Sequence, residues 1–217
     1  MKKLPAGESN YESLIEGNYY YVDKTKFIQT LEDYPNRKVM FLRPRKFGKT
    51  LFTSVLENYY DILKKDKFES LFGETYIGKN PTSLKNSYHI LKFNFSGIGT
   101  ETEESTMSGF LREVASSIEV FTQKYHMDFY VNRDNSAEGI LDDLLKAFST
   151  QKSSEKIYVI IDEYDHFANE LLSFNTSVFK ELVSRNGKVR KWYEILKKGT
   201  ESVVDRIFIT RSSSYYT

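Results

Sequence analysis

Short runs of apolar, β-branched and aromatic residues alternate along the chain with longer segments in which apolar positions recur every three or four residues. That alternation predicts an α/β fold with a mainly parallel sheet joined by crossover helices. Four runs read as core strands, at 38–43, 88–95, 156–161 and 206–210. The second alternates in polarity, as a strand with one wetter face would. Between them, residues 50–63 carry Leu51, Val55, Leu56, Tyr59 and Leu63 on one helical stripe, and 107–125 carry Phe110, Leu111, Val114, Ile118 and Phe121. A third helix is predicted over 136–148, with Ser136 as N-cap and Ile140, Leu141, Leu144 and Leu145 behind it. Upstream, Tyr19-Tyr20-Tyr21-Val22 reads as an edge strand, and Asp23 as the cap of a short helix over 24–31. No repeat and no Gly/Ser/Pro-rich linker divides the sequence. The expectation is a lead-in segment over 1–37 attached to one domain over 38–217.

Composition narrows the chemistry. With 40% hydrophobic and 28% charged residues among 217, the chain has the make-up of a packed domain and not of a disordered tail. Lys+Arg 31 against Asp+Glu 30 gives a formal charge of +1, so the whole chain is neither a nucleic-acid coat nor a match for an acidic partner. Any charged function must be local. The absence of cysteine excludes disulfides, thiolate nucleophiles and Cys-containing zinc sites, and His89, His126 and His166 are too few for a His-rich metal site. The longest apolar run, 157–161, is far short of the roughly 20 residues needed to span a membrane. The basic start has no apolar stretch behind it, so a soluble, cytoplasmic protein without a membrane partner is expected.

The sharpest local signal is Arg43-Pro44-Arg45-Lys46-Phe47-Gly48-Lys49-Thr50, between an apolar strand and an amphipathic helix. In a P-loop, backbone N–H groups and a helix N-terminus cradle phosphates, a lysine reaches the β- and γ-phosphates, and a Ser or Thr hydroxyl ligates magnesium. Gly48, Lys49 and Thr50 match that device, with Arg45, Lys46 and Phe47 completing the candidate binding loop. Arg43 stands where the first glycine usually does, and Pro44 removes one amide donor. The triplet alone is a weak signal; its setting between strand and helix carries the reading. Arg43, Arg45 and Lys46 can equally neutralise a triphosphate, touch a neighbouring subunit, or be solvated loop cations.

A second signal is the buried run 157–161 ending in Asp162 and Glu163. In a P-loop ATPase the first carboxylate holds the magnesium shell and the second polarises the attacking water. The plain alternative is a strand that happens to end in two acids. Thr210, at the tip of the last strand, is placed to touch the γ-phosphate or orient the water, so that three strand ends converge on one crevice. Asp165 reads either as functional or as a helix cap, and His166 as a surface histidine. A basic stretch, Arg185, Lys188, Arg190, Lys191, Lys197 and Lys198, interleaves with Trp192 and Tyr193; it can meet phosphate backbones, but a solvated helix face is favoured.

Taken together, 20–25, 43–50, 161–165 and the segment from Leu196 to Thr210 resemble the predicted AAA-ATPase-like proteins of bacteria, in which Arg-Pro likewise precedes Gly-Lys-Ser/Thr. The resemblance implies a P-loop NTPase three-layer sandwich with core strand order 1-4-3-2, binding ATP and Mg2+. It implies Lys49 at the β/γ-phosphates, Thr50 and Asp162 on magnesium, and Glu163 with Thr210 at the attacking water. In that family a PD-(D/E)XK nuclease-like domain often follows, and none fits here. The family pattern continues the Ile-Thr strand with Gly and a Ser-Pro turn, where this chain reads Arg211-Ser212-Ser213-Ser214-Tyr215-Tyr216-Thr217. The expectation is therefore a domain shortened at its C-terminus, without the lid and the strand flanking the P-loop strand. Slow ATP hydrolysis is the leading functional expectation. Its rivals are a non-hydrolytic nucleotide-gated module that answers to a protein partner or self-associates, and a fragment of a nucleic-acid-processing ATPase.

Overall fold

The computed structural model describes residues 2–99, 102–164 and 187–212. Four strands, β1 (Lys38–Arg43), β2 (Tyr88–Asn94), β3 (Lys156–Asp162) and β4 (Val204–Ser212), form one sheet in the order β1-β4-β3-β2. Every pairing is parallel. The expected sheet was mainly parallel in the order 1-4-3-2; the order agrees, and all three pairings are parallel.

Strand alternation builds the two cores. Successive side chains of β3 point to opposite faces, so Ile157, Val159 and Ile161 enter one apolar cluster and Tyr158 and Ile160 the other. The first cluster is closed by α6 (Glu103–Lys124), α7 (Ala137–Gln151) and α8 (Lys188–Gly199), with Trp192 packed edge-on against Phe93 and Phe110. The second is closed by α1 (Tyr11–Glu16), α3 (Lys49–Tyr60) and α4 (Phe68–Phe72), and is rich in rings: Tyr11, Tyr59, Tyr60, Phe72 and Phe208 are buried in it. A sheet covered on both faces is the arrangement that parallel strands require. Tyr11 and Ile28, from the first 37 residues, belong to the second core.

Several local expectations are corrected. Residues 19–22 form no strand; the segment makes one isolated parallel bridge, between Lys3 and Tyr19, and Tyr21 instead lays its ring against Tyr11. The helix predicted over 24–31 begins later, as α2 (Phe27–Asp33), because Asp23 spends its carboxylate on the N–H groups of Thr25 and Tyr76. The helix expected to reach Leu63 stops at Tyr60, leaving Leu63 54% exposed. Asp61 ends it: extended in backbone and fully buried, it caps Leu63 N–H and accepts the Tyr125 hydroxyl. A 3-10 turn over Ile62–Lys67, then α4 and α5 (Tyr76–Lys79), follow where no element was anticipated, as does α1 upstream. β2 is buried on both faces and does not alternate, since aromatic and aliphatic side chains occupy both. α6 starts four residues before Met107, on a capping box of Thr102 and Ser105. Ser136 does cap α7, through Gly139 N–H. No helix among the described residues is long and apolar enough to cross a membrane.

Candidate functional site

The site is assembled at the C-terminal ends of β1, β4 and β3, the position at which open parallel sheets bind ligands. β1 delivers the chain to Arg43, and the loop turns through two left-handed residues, Lys46 (φ 66°) and Gly48 (φ 71°), before α3 begins at Lys49. No side chain caps the N-terminus of α3. Its first N–H groups therefore remain available to an external acceptor, and the helix dipole favours an anion there.

Lys49 is only 6% exposed. Its ammonium donates to Ser212 Oγ at 2.9 Å, to Pro44 O at 3.1 Å and to Arg43 O at 3.3 Å. All three acceptors are neutral, and among the described residues no carboxylate stands within ion-pairing distance. A nearly buried, uncompensated cation is costly for a folded protein. Such a cation has the electrostatic character to accept an anion.

Asp162 ends β3 and is completely buried. Its Oδ1 accepts the Thr210 hydroxyl at 2.5 Å, whereas its Oδ2 is buried with no hydrogen-bond partner among the described residues. Thr210, also fully buried, uses the same oxygen to accept the N–H of Glu163 at 2.9 Å. Glu163 is thereby held in the left-handed region (φ 54°), which a residue with a Cβ enters at a cost of roughly 1–2 kcal/mol. The backbone reversal at Glu163 separates the two acids: Asp162 faces inward and Glu163 is half-buried at the rim.

The donor set can be weighed against magnesium. Among the described residues there is no group of three or more His, Asp or Glu side chains fit to hold a metal unaided. Magnesium asks less when phosphates and waters complete its octahedron: one or two protein oxygens suffice. The orphaned Oδ2 of Asp162 is of that type, and so is the hydroxyl of Thr50, half-buried at the first turn of α3. The residues present fit the ion.

The structure thus draws Lys49, Asp162, Glu163 and Thr210 to one end of the sheet, with Gly48 and Thr50 beside Lys49. Arg45, Lys46 and Phe47 stand on the exposed outside of the loop, and Arg43 lays its guanidinium 5.5 Å from the Phe41 ring centre. Ser212 was not anticipated. A signal for it existed: it is two residues beyond Thr210 and so shares that side chain's face of the strand, but the expected strand stopped at Thr210. Asp165, His166 and Arg185 lie outside the described residues, as does 213–217. The remaining basic residues of 185–198 stand exposed on α8, opposite buried Val189, Trp192 and Leu196, with Arg190 paired to Glu194 at 3.1 Å.

Beside the loop opens a cavity of about 980 Å³, walled by α3, α2 and the segment around Tyr20–Val22.

The sequence matches the family described as Predicted AAA-ATPase over residues 5–214. It is also 28% identical, over 166 residues, to an uncharacterized protein in the vnfD 5'region of Azotobacter chroococcum mcd 1. That alignment covers 76% of this chain and 29% of the relative, which is a much longer protein. The loop, the paired acids and the sheet order agree with a family match that runs nearly end to end, and the chain belongs to the Predicted AAA-ATPase family.

Proposed function

We propose that this chain binds ATP with magnesium on the loop 43–50 and hydrolyses it slowly. The observation that carries the reading is the Lys49 ammonium, almost out of solvent and bonded, among the described residues, only to neutral oxygens. Lys49 would exchange those oxygens for β- and γ-phosphate oxygens, while Gly48 and the uncapped start of α3 supply amide donors. Thr50 and Asp162 would hold magnesium, which when bound neutralises charge on the phosphate oxygens. Glu163 would accept the proton of the attacking water, and Thr210 would keep both acids in place. Arg45 and Lys46 add positive field at the loop rim. A cytoplasmic setting, where ATP is abundant, suits this reading.

Calorimetric titration of Mg·ATP into the wild type and Lys49→Ala tests binding, and phosphate release from the same samples tests turnover. Binding should be lost in Lys49→Ala, and Glu163→Gln should keep ATP while losing hydrolysis. A folded wild type that binds no ATP overturns the reading. The rival of a non-hydrolytic, nucleotide-gated interaction module, acting on a protein partner or a second copy, is favoured if Glu163→Gln changes nothing beyond an already absent turnover. Nucleic acid is a weaker partner, because the basic residues of α8 form the solvated side of an amphipathic helix and not a groove. Salt-dependent DNA binding abolished by charge reversal at Lys188, Lys191 and Lys197 would restore it.

A further inference from the structure

Among the described residues, Ser212 supplies the one side-chain acceptor on the Lys49 ammonium; the other two acceptors, Pro44 O and Arg43 O, are backbone of the loop itself. An ammonium has three N–H donors and no more. All three are therefore spent in the empty site, and the shortest bond goes to Ser212 Oγ, at 2.9 Å. This contact joins residues 163 positions apart and depends on the pairing of β1 with β4, which sets Ser212 beside Arg43, where the loop departs. Thr210, on the same face, is committed elsewhere: its hydroxyl gives its proton to Asp162 and accepts the N–H of Glu163. The Ser212 side chain, among the described residues, serves the lysine alone. A triphosphate asks for at least two of the three N–H groups, one for the β- and one for the γ-phosphate. The third can stay on a carbonyl of the loop that carries the lysine. Ser212 stands on another strand, so its bond holds the ammonium against the sheet and competes with the phosphates for the same protons.

We propose that Ser212 is a latch on the empty loop: it positions Lys49 at the tip of β4 and must release it before a triphosphate can bind. The inference rests on the phosphate reading of the loop given above. The latch eases the cost of an uncompensated cation in the empty site and, by the same amount, lowers the affinity of that site for an anion, because a ligand gains only the difference between the two states of the lysine.

The test measures Mg·ATP and Mg·tripolyphosphate binding by calorimetry on the full chain, for the wild type, Ser212→Ala and Ser212→Thr. Ser212→Ala should bind both ligands roughly tenfold more tightly, the lower end of what a hydrogen bond to a charged group contributes. Both ligands should gain alike, since the latch acts on the phosphate-binding lysine. Ser212→Thr, which keeps the hydroxyl, should bind as the wild type does. Ser212→Cys, close to serine in shape but a weak acceptor, should move in the direction of alanine and keeps the test in force if the alanine variant does not fold. The empty proteins give an independent reading: Ser212→Ala should lower the melting temperature in the wild-type background and leave it unchanged in Lys49→Met, where the hydroxyl has no ammonium to hold. Circular dichroism checks the fold of each variant. Unchanged or weaker binding by folded Ser212→Ala, or by folded Ser212→Cys in its place, overturns the proposal and leaves the phosphate loop standing, as does an equal fall in melting temperature in both backgrounds. Binding of neither ligand by folded wild type overturns the loop reading, and this inference with it.

Discussion

Thr210 and Ser212 project from the same face of β4, two residues apart, and divide the site between them: Thr210 holds Asp162 at 2.5 Å and Ser212 holds Lys49 at 2.9 Å. β4 lies between the strand that leads into the loop and the strand that ends in the acids. Among the described residues, the hydroxyls at its tip tie the loop lysine to the carboxylates. The register sets the arrangement, since Arg43 pairs with Ser212 across β1 and β4. A shift of one residue would turn both hydroxyls to the opposite face.

Thr210→Val is the clean probe of this bracket, because it keeps the shape and removes the hydroxyl. Asp162 Oδ1 and Glu163 N–H would both lose their partner, and a stranded buried group costs about 1–3 kcal/mol. Chemical denaturation should show a loss of that order, and phosphate release should fall more than ATP affinity does. Thr210→Ser should recover most of both. Equal behaviour of the Val and Ser variants would show that the hydroxyl holds nothing.

Lys49 sets stability against function. Replacing it with methionine keeps the stem that packs against the loop and removes a nearly buried charge that has no counter-ion among the described residues. The unliganded protein should become more stable by about 1 kcal/mol or more. Wild type should melt at rising temperature as Mg·ATP is added, by mass action on the folded state. Lys49→Met should start higher and not respond. A lower melting point in the unliganded variant would mean that the three oxygens around the ammonium outweigh its burial.

The sheet was legible because parallel strands covered on both faces must be written as dense apolar runs, and 156–161 and 206–210 are such runs. The turn into α3 was legible because a glycine, free to take the left-handed conformation, stands just before the amphipathic run, and Gly48 takes it. What escaped was decided by partners distant in sequence. Nothing near Asp61 announces that it will end α3; the Lys124 ammonium, 2.6 Å from its Oδ2, and the Tyr125 hydroxyl, both distant in sequence, make its burial tolerable. The tyrosines at 19–21 have the composition of a strand, but among the described residues they pair only with Lys3, in a single bridge, and Tyr21 packs on Tyr11 instead. Ser212 looks like a turn residue until β1 pairs beside it.

His89, on β2, is buried beneath Phe121, Tyr125 and Phe148, and its Nε2 lies 3.0 Å from Glu155 Oε2. Burial pushes the imidazole below its ordinary value, outweighing the opposing pull of Glu155. The unfolded chain then takes up a proton as pH falls through about 6.5 while the folded protein does not, so His89 withdraws stability on the acid side of that value. Between pH 7.5 and 5.5 the denaturation midpoint of the wild type should fall further than that of His89→Gln. Parallel pH profiles for the two proteins would assign the acid sensitivity to other groups.

Two glycines separate backbone strain from steric clash. At Gly48 the backbone is left-handed (φ 71°), yet a Cβ would meet no atom within 4 Å. Alanine there pays only in conformation, about 1 kcal/mol. At Gly78, in α5, the backbone is ordinary, but a Cβ would stand 1.8 Å from the Phe72 carbonyl oxygen at the end of α4. That contact is backbone on backbone and cannot be relieved by a rotamer, so α5 would have to move off α4 and Gly78→Ala should cost several times more, about 3 kcal/mol or above. The functional order should be reversed. Gly48→Ala turns the amides at the start of α3 away from a common focus and should weaken Mg·ATP binding at least tenfold, with little change in melting temperature. Gly78→Ala should melt early but, at temperatures where it remains folded, bind Mg·ATP as the wild type does. Loss of affinity in proportion to loss of stability in both variants would show that the loop has no special dependence on its left-handed residue.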